Sequence, residues 1–354
     1  MTMDKVHGTF VSEKINKVKW KPESLCDAGY FVTGSWDNET NQVTLWLYPP
    51  YEEDPDLYPY QVATYSHPGD VTEMAFINTD TFVVASSHGS VRLLKTRIDD
   101  VKTGKIVDLL KWDKLHYFTY GGPSPCTSVA CFEDDIVSVG EDGRLNLLNA
   151  RRPTPVHKID EADSCSLRCV CFLKHNQVLT GNFRGQMKVW DLKSPSDKPS
   201  TTFMLSGDQI GAMCVTHHPT QRHMLLVGGE NGSLTVWDLR HNNYPVTLLS
   251  AHSGSVSELK FHPDRPEHLL SCSTGGEVWH WDTTSMSRGT RFSASSGSSI
   301  EENPWLQSDA AKHRFEVFSL MPTLHKPINS LDINRTRAIC GCDNEAFYVF
   351  NDVL

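Results

Sequence analysis

The chain has 354 residues, of which 39% are hydrophobic, 10% aromatic and 21% charged, a composition that excludes disorder throughout. Single cores stop growing near ~250–300 residues, so this length implies two domains or one array of repeats. Forty-three acidic residues against 33 basic ones leave a net charge of −10, which disfavours polyphosphate, anionic lipid and direct nucleic-acid binding.

In chain order, residues 1–14 contain no apolar stretch of signal-peptide length, and no run of ~18 apolar residues follows anywhere. The sequence therefore predicts neither secretion nor a transmembrane segment. A strand-like stretch from Thr9 to Ile15 precedes another from Lys17 to Trp20. FVTGSWDN from Phe31 and QVTLWLY from Gln42 then form two β-branched runs around a turn of Gly, Asp and Asn, residues that tolerate the positive φ of a tight hairpin. YPPYEEDPDLYPY, Tyr48 to Tyr60, is an acidic, proline-rich surface loop.

The same succession returns. VTEMAF from Val71 leads to SVRLLKT from Ser90, and a second loop, Tyr117 to Pro125, contains Gly121-Gly122 and two prolines. TSVACF (Thr127), IVSVGEDG (Ile136) and RLNLLNA (Arg144) follow, then LRCVCF (Leu167), VLTGNFRG (Val178) and QMKVWDL (Gln186). MCVTHHP (Met213), LLVGGENG (Leu225) and SLTVWDL (Ser233) repeat the order, as do VSELKFHP (Val256), LLSCSTGG (Leu269) and EVWHWD (Glu277). A Ser-rich insertion over 285–312 reads as a flexible loop, with Trp305 and Leu306 placed to anchor in a partner's groove. AFYVFND from Ala346 closes the series.

Trp46, Leu94, Leu148, Trp190, Trp237, Trp281 and Phe350 align, with spacings of 48, 54, 42, 47, 44 and 69 residues. All but the last approximate one period of ~45 residues. Three runs and one further strand per period make a four-stranded unit whose two apolar faces cannot be buried alone. Stacking such units around an axis covers each face with a neighbour, and closing the ring covers the last two. The expected blade segments are 15–48, 60–96, 107–150, 156–193, 201–240, 246–284 and 313–354, with the N-terminal strand 9–15 as a clasp on Glu345 to Val353.

These residues resemble the WD40 family, whose blades bury a hydrogen-bonded His, Ser or Thr, Asp and Trp. The resemblance implies an all-β, seven-bladed propeller closed by pairing of the two termini in the last blade. Trp190-Asp191, Trp237-Asp238 and Trp281-Asp282 carry the name-giving pair; His252, Ser273 and Trp281 match the buried set in the sixth repeat, where Gly275 replaces the turn Asp. Asp142 supplies that Asp in the third repeat, which ends in Leu148-Asn149.

No phosphate loop, dinucleotide turn, HExxH or GxSxG occurs, so the sequence predicts no enzyme, cofactor or catalytic residue. Ten scattered cysteines without a CxxC pair fit a reducing compartment, and His217, His218, His223 and His262 read as structural or solvent-facing rather than metal ligands. What remains is a rigid disc suited to binding other proteins through its loops.

FVSEKINKVKWKP, TGSWDNETN, SVGEDGRLNLLNA and FHPDRPEHLLSCSTGGEVWHWD, with the Ser-rich insertion before SLMPT, are similar to a WD40 nucleoporin of the Y-shaped nuclear pore scaffold. That resemblance implies a monomeric subunit of a hetero-oligomer in the nuclear envelope, docked on an α-solenoid nucleoporin and present at kinetochores in mitosis. The alternative is a substrate receptor of a cullin-type ubiquitin ligase, because Trp237-Asp238-Leu239-Arg240 resembles the motif by which WD40 receptors dock to the ligase adaptor.

Overall fold

The computed structural model describes residues 6–23, 26–49, 58–194, 196–241, 245–284, 303–306 and 315–354. An opening strand, β1 (Val6–Phe10), is followed by seven antiparallel sheets. Blade 1 comprises β2 (Ile15–Trp20), β3 (Tyr30–Ser35), β4 (Asn41–Leu47) and β5 (Tyr60–His67). Blade 2 has β6 (Val71–Phe76), β7 (Thr81–Ser86), β8 (Val91–Asp100) and β9 (Thr103–Trp112); blade 3 has β10 (Cys126–Phe132), β11 (Asp135–Gly140), β12 (Leu145–Asn149) and β13 (His157–Ile159). Blade 4 has β14 (Leu167–Lys174), β15 (Gln177–Asn182), β16 (Gln186–Asp191) and β17 (Thr201–Met204). Blade 5 has β18 (Ala212–His217), β19 (Met224–Gly229), β20 (Ser233–Asp238) and β21 (Thr247–Ser250). Blade 6 contains β22 (Val256–Phe261), β23 (His268–Ser273), β24 (Val278–Asp282) and β25 (Glu316–Ser319). Blade 7 joins β26 (Ile328–Asn334), β27 (Arg337–Cys342) and β28 (Ala346–Phe350) to β1.

The sequence segments and the sheets are out of phase by one strand. Segment 60–96, for example, begins with β5, which pairs with β4 of blade 1, and only then enters blade 2. Each repeat thus ties two blades together. The clasp follows the same rule: Val6 pairs with Phe350 and Phe10 with Ala346. Its strand starts three residues earlier than the sequence suggested and ends at Phe10; Ser12 takes a φ of 61°, which breaks the extended run before β2.

The first strands of neighbouring blades touch all the way round, β26 against β2 included, so they line the axis and the ring is closed. All seven carry a register shift near their start, between Ile15 and Lys17 in blade 1 and at the corresponding place in each other blade. Such bulges raise local twist, which turns each sheet as it leaves the axis. The core is distributed: seven apolar clusters each sit at one junction between adjacent sheets. At the closing junction Ile15, Val18 and Phe31 of blade 1 pack on Ile339, Phe347 and Val349 of blade 7. Gly341 permits that approach, because a Cβ there would lie 2.5 Å from the Ile15 side chain.

Candidate functional site

Strand alternation divides the molecule into two sides. Turns between second and third strands, and the loops from one blade to the next, emerge on one side; turns between first and second, and between third and fourth, emerge on the other.

On the first side lie two buried polar circuits. In blade 6, Trp281 Nε1 donates to Ser271 Oγ at 2.9 Å, and His252 Nε2 lies 2.7 Å from the same oxygen. His252 Nδ1 is 3.0 Å from Glu277 Oε2. The chain of donors therefore runs Trp281 to Ser271 to His252 to Glu277, with a neutral imidazole protonated on Nδ1. Burial lowers the His252 pKa against the pull of Glu277; Glu277 itself stays below its ordinary range, burial being outweighed by the Ser253 N–H and His252. The sequence expectation needs correction here. The shared hydroxyl belongs to Ser271, two residues before Ser273 on the same strand face, and Ser273 donates to Glu277 instead. Glu277, beyond Gly275, supplies the carboxylate.

In blade 3, His116 bonds Asp142 Oδ1 at 2.9 Å and Ser138 Oγ at 3.0 Å, while Tyr117 N–H and Arg144 N–H donate to the same carboxylate. Burial raises the Asp142 pKa, and His116 with these N–H groups more than reverses it. Sequence reading found Asp142 but missed His116, which stands 22 residues before Ser138 behind the loop that begins at Tyr117.

The tryptophans differ by blade. Trp46 donates to Thr33 and Trp190 to Thr180. Trp237 pairs with Leu225, which puts Val227 where the hydroxyl would stand, and its buried Nε1 has no bonding partner among the described residues. The aspartates have another task. Asp191, Asp238 and Asp282 each accept the N–H two residues on, from Lys193, Arg240 and Thr284, and Asn149 does the same for Arg151. Each caps the turn that leaves the third strand. Leu148-Asn149 therefore keeps the capping function of the motif without its letters.

The channel, a cavity of about 410 Å³, is lined by first strands from every blade. Lys17 and Lys19 of blade 1 converge there on Glu73 of blade 2 and Glu258 of blade 6. Glu258 also accepts from Ser330 Oγ at 2.6 Å and from Leu331 N–H, and Asp332 accepts from Trp20 N–H at 2.9 Å. Burial pushes the Glu258 pKa up, but Lys19 and Lys17 hold it well below the carboxylate range; burial likewise opposes the two ammonium charges, and the carboxylates raise both lysines nonetheless.

The second side carries the two long insertions. Residues 50–57 of the acidic loop and most of 285–312, including the Ser-rich run, lie outside the described residues. Asn303–Leu306 is described, and it corrects the expectation for Trp305. Pro304–Leu306 forms a 3-10 turn, and Trp305 is 1% exposed among Phe261, Trp281 and Phe315. Asn303 reaches Gln221 and the His218 ring of blade 5. Trp305 thus anchors the chain to itself and is not offered to a partner, with Leu306 partly buried against the same cluster. Arg240 lies at the end of β20, its guanidinium clasped by Asp238 at 2.6 Å. Among the described residues no three His, Cys, Asp or Glu side chains gather as metal ligands, and no helix is long and apolar enough to cross a membrane.

Comparison with known proteins gives three matching stretches of the "WD domain, G-beta repeat" family, at residues 59–94, 198–238 and 243–282. Nucleoporin Nup43 of Homo sapiens is 37% identical over 98% of both chains, and that of Mus musculus 36% identical over 98% of both. The nuclear pore complex protein nup43 of Dictyostelium discoideum is 27% identical over 59% of this chain and 49% of its own.

Proposed function

Because the chain belongs to the Nup43 family of WD40-repeat nucleoporins, we infer that it is a scaffold subunit of the nuclear pore complex that acts by docking on other nucleoporins. The observation that carries this reading is the extent of the likeness, which spans 98% of both chains and so includes the seam and the insertions as well as the repeat motifs. The partner is an α-solenoid nucleoporin of the Y-shaped outer-ring complex, and the reading extends to kinetochores in mitosis.

The architecture constrains how such docking works. Each of the seven sheets has four strands, and β1 supplies the fourth strand of blade 7 from within the chain. A partner therefore has no missing strand to donate and must use a side, a groove or an outer edge. A standard interface of ~1,600 Å² suffices. No covalent step is involved: both ring nitrogens of His116 and of His252 are already bonded inside their circuits, which suits them to bracing rather than proton transfer. The ligase-receptor alternative has one motif behind it, and the guanidinium it needs is already held by Asp238.

A tagged full-length chain tests the reading. Co-purification with the outer-ring nucleoporins and a punctate nuclear rim are expected, with kinetochore signal in mitotic cells. A diffuse protein free of nucleoporins overturns the scaffold role, and a rim signal without kinetochore signal removes the mitotic part alone.

A further inference from the structure

On the second side, the junctions of blades 3 and 4, 4 and 5, and 5 and 6 each present a position between the third strand of one blade and the ends of the first and third strands of the next. At the junction of blades 5 and 6 the chain fills this position itself: Trp305 sits in one cluster with Val236 of β20 and with Phe261 and Trp281 of blade 6. One junction back, between blades 4 and 5, the same position is open. A cavity of about 310 Å³ lies there over Val189 of β16, the counterpart of Val236, with Leu173 and Leu239 as its apolar floor. The junction of blades 3 and 4 carries another, of about 480 Å³, over Leu147, Val156 and Leu192. Both volumes fall in the range of binding pockets.

The open grooves are marked by charge. Lys174, Arg222 and Arg240 line the first, whose lining contains no carboxylate. Arg151, Arg152 and Lys193 line the second against Asp134 and Asp135. Asp134 pairs with Arg151 and Asp238 with Arg240; among the described residues no carboxylate stands within ion-pairing distance of Lys174, Arg222, Arg152 or Lys193. In a chain of net charge −10 this is a local reversal of sign. The guanidinium of Arg222 in the first groove lies 5.7 Å from the Phe132 ring of blade 3, which lies 5.5 Å from the His175 ring in the lining of the second, so these side chains connect the two grooves.

We propose that this surface binds an acidic segment of a partner protein, which seats an apolar side chain in the groove of blades 4 and 5 as Trp305 is seated at the next junction. The inference deepens the scaffold reading and rests on it for the source of the partner. Charge complementarity supplies the acidic character, because uncompensated cations at a rim select the opposite sign and reject their own. The apolar floor favours protein over nucleic acid, since a phosphodiester backbone has nothing to fill it.

The test compares co-purification of outer-ring nucleoporins with three full-length chains: wild type, Lys174→Glu/Arg222→Glu, and Phe183→Asp/Arg184→Glu on the first side. Recovery with the first variant should fall at least about tenfold, while the first-side variant matches wild type. Melting temperatures identify a variant that has unfolded, in which case Arg152→Glu/Lys193→Glu in the neighbouring groove takes its place with the same expectation. Undiminished recovery by folded groove variants overturns the inference and leaves the scaffold reading intact, whereas wild type recovering no nucleoporin overturns the scaffold reading first. Loss of wild-type recovery on nuclease treatment assigns the surface to nucleic acid and also overturns it.

Discussion

The junction that closes the ring and the junction of blades 4 and 5 are built differently. At the closing junction, side chains of blade 7 satisfy backbone groups of blade 1: Ser330 accepts from Val18, Asp332 from Trp20 and Asn334 from Ala28. Trp36 and Asn351 add side-chain bonds to Asp343 and Tyr48. Between blades 4 and 5 the polar traffic is slight, the Cys169 thiol on the Ala212 carbonyl being one contact, and packing is carried by apolar residues such as Leu179, Met187 and Leu225. The difference follows from connectivity. Neighbouring blades in mid-chain are held by the chain itself, whereas β26–β28 of blade 7 are tied to blade 1 only through β1, which pairs with β28 without a covalent link, so that their register must be specified by non-covalent bonds. The plainer junction of blades 4 and 5 leaves a groove.

Removing β1 is the most severe way to break this contrast. Five residue pairs are lost, blade 7 is left with three strands and the closing cluster loses the contact of Val11. At about 1 kcal/mol net per ladder bond, deletion of residues 1–14 should cost roughly 5 kcal/mol, read as a fall in melting temperature of the whole chain. An unchanged melting temperature would refute the clasp.

Glu258→Gln should follow, at about 3 kcal/mol, because it leaves the Lys19 and Lys17 ammonium groups in the channel short of a counter-charge. The sign of the pH dependence is fixed by the shifts. Glu258 is held below its ordinary 4.5, so its contribution is complete above that pH and is lost as pH falls towards the folded value. Lys17 and Lys19 are raised above 10.5, so theirs is complete below 10.5 and is lost as pH rises past their folded values. Denaturant titrations across acid pH should therefore show a steeper loss for wild type than for Glu258→Gln; equal slopes would assign the bracing elsewhere.

Much of this was legible in the sequence, and the failures have a common cause. Period, turn residues and the Trp-Asp pairs are local, so seven blades and the clasp could be read from runs of about ten residues. The partners of Lys19 and of Trp20 lie 239 and 312 residues away, and no local pattern records them. Ser271 and Ser273 share one strand face, so alternation could not choose between them. Trp305 looked like a partner anchor because an exposed loop and a docked one have the same composition; only the groove between blades 5 and 6 reveals where it goes.

Blades 5 and 6 give a finer comparison. Ser271→Ala in blade 6 removes the hydroxyl shared by Trp281 and His252 and should cost about 2 kcal/mol in buried, unpaired groups. In blade 5 that loss already exists, with Val227 opposite Thr235 and the Trp237 N–H unpaired. Val227→Thr is close in shape and restores an acceptor, so it should stabilise the chain by about 1 kcal/mol. Urea melts of both variants decide the point, and a destabilised Val227→Thr would mean that the added hydroxyl finds no partner.

Arg240→Ala should have the smallest effect on stability, under ~1 kcal/mol. Its guanidinium is largely exposed, and an ion pair between neighbours on one turn is screened by water and costs side-chain entropy to hold. The turn does not need the guanidinium, because Asp238 accepts the N–H of residue 240 at 2.9 Å, a bond that survives truncation to alanine. Asp238→Ala removes that backbone bond and should cost more than Arg240→Ala under the same urea melt. The reverse order would make the arginine, rather than the aspartate, the residue that holds the end of β20 in place.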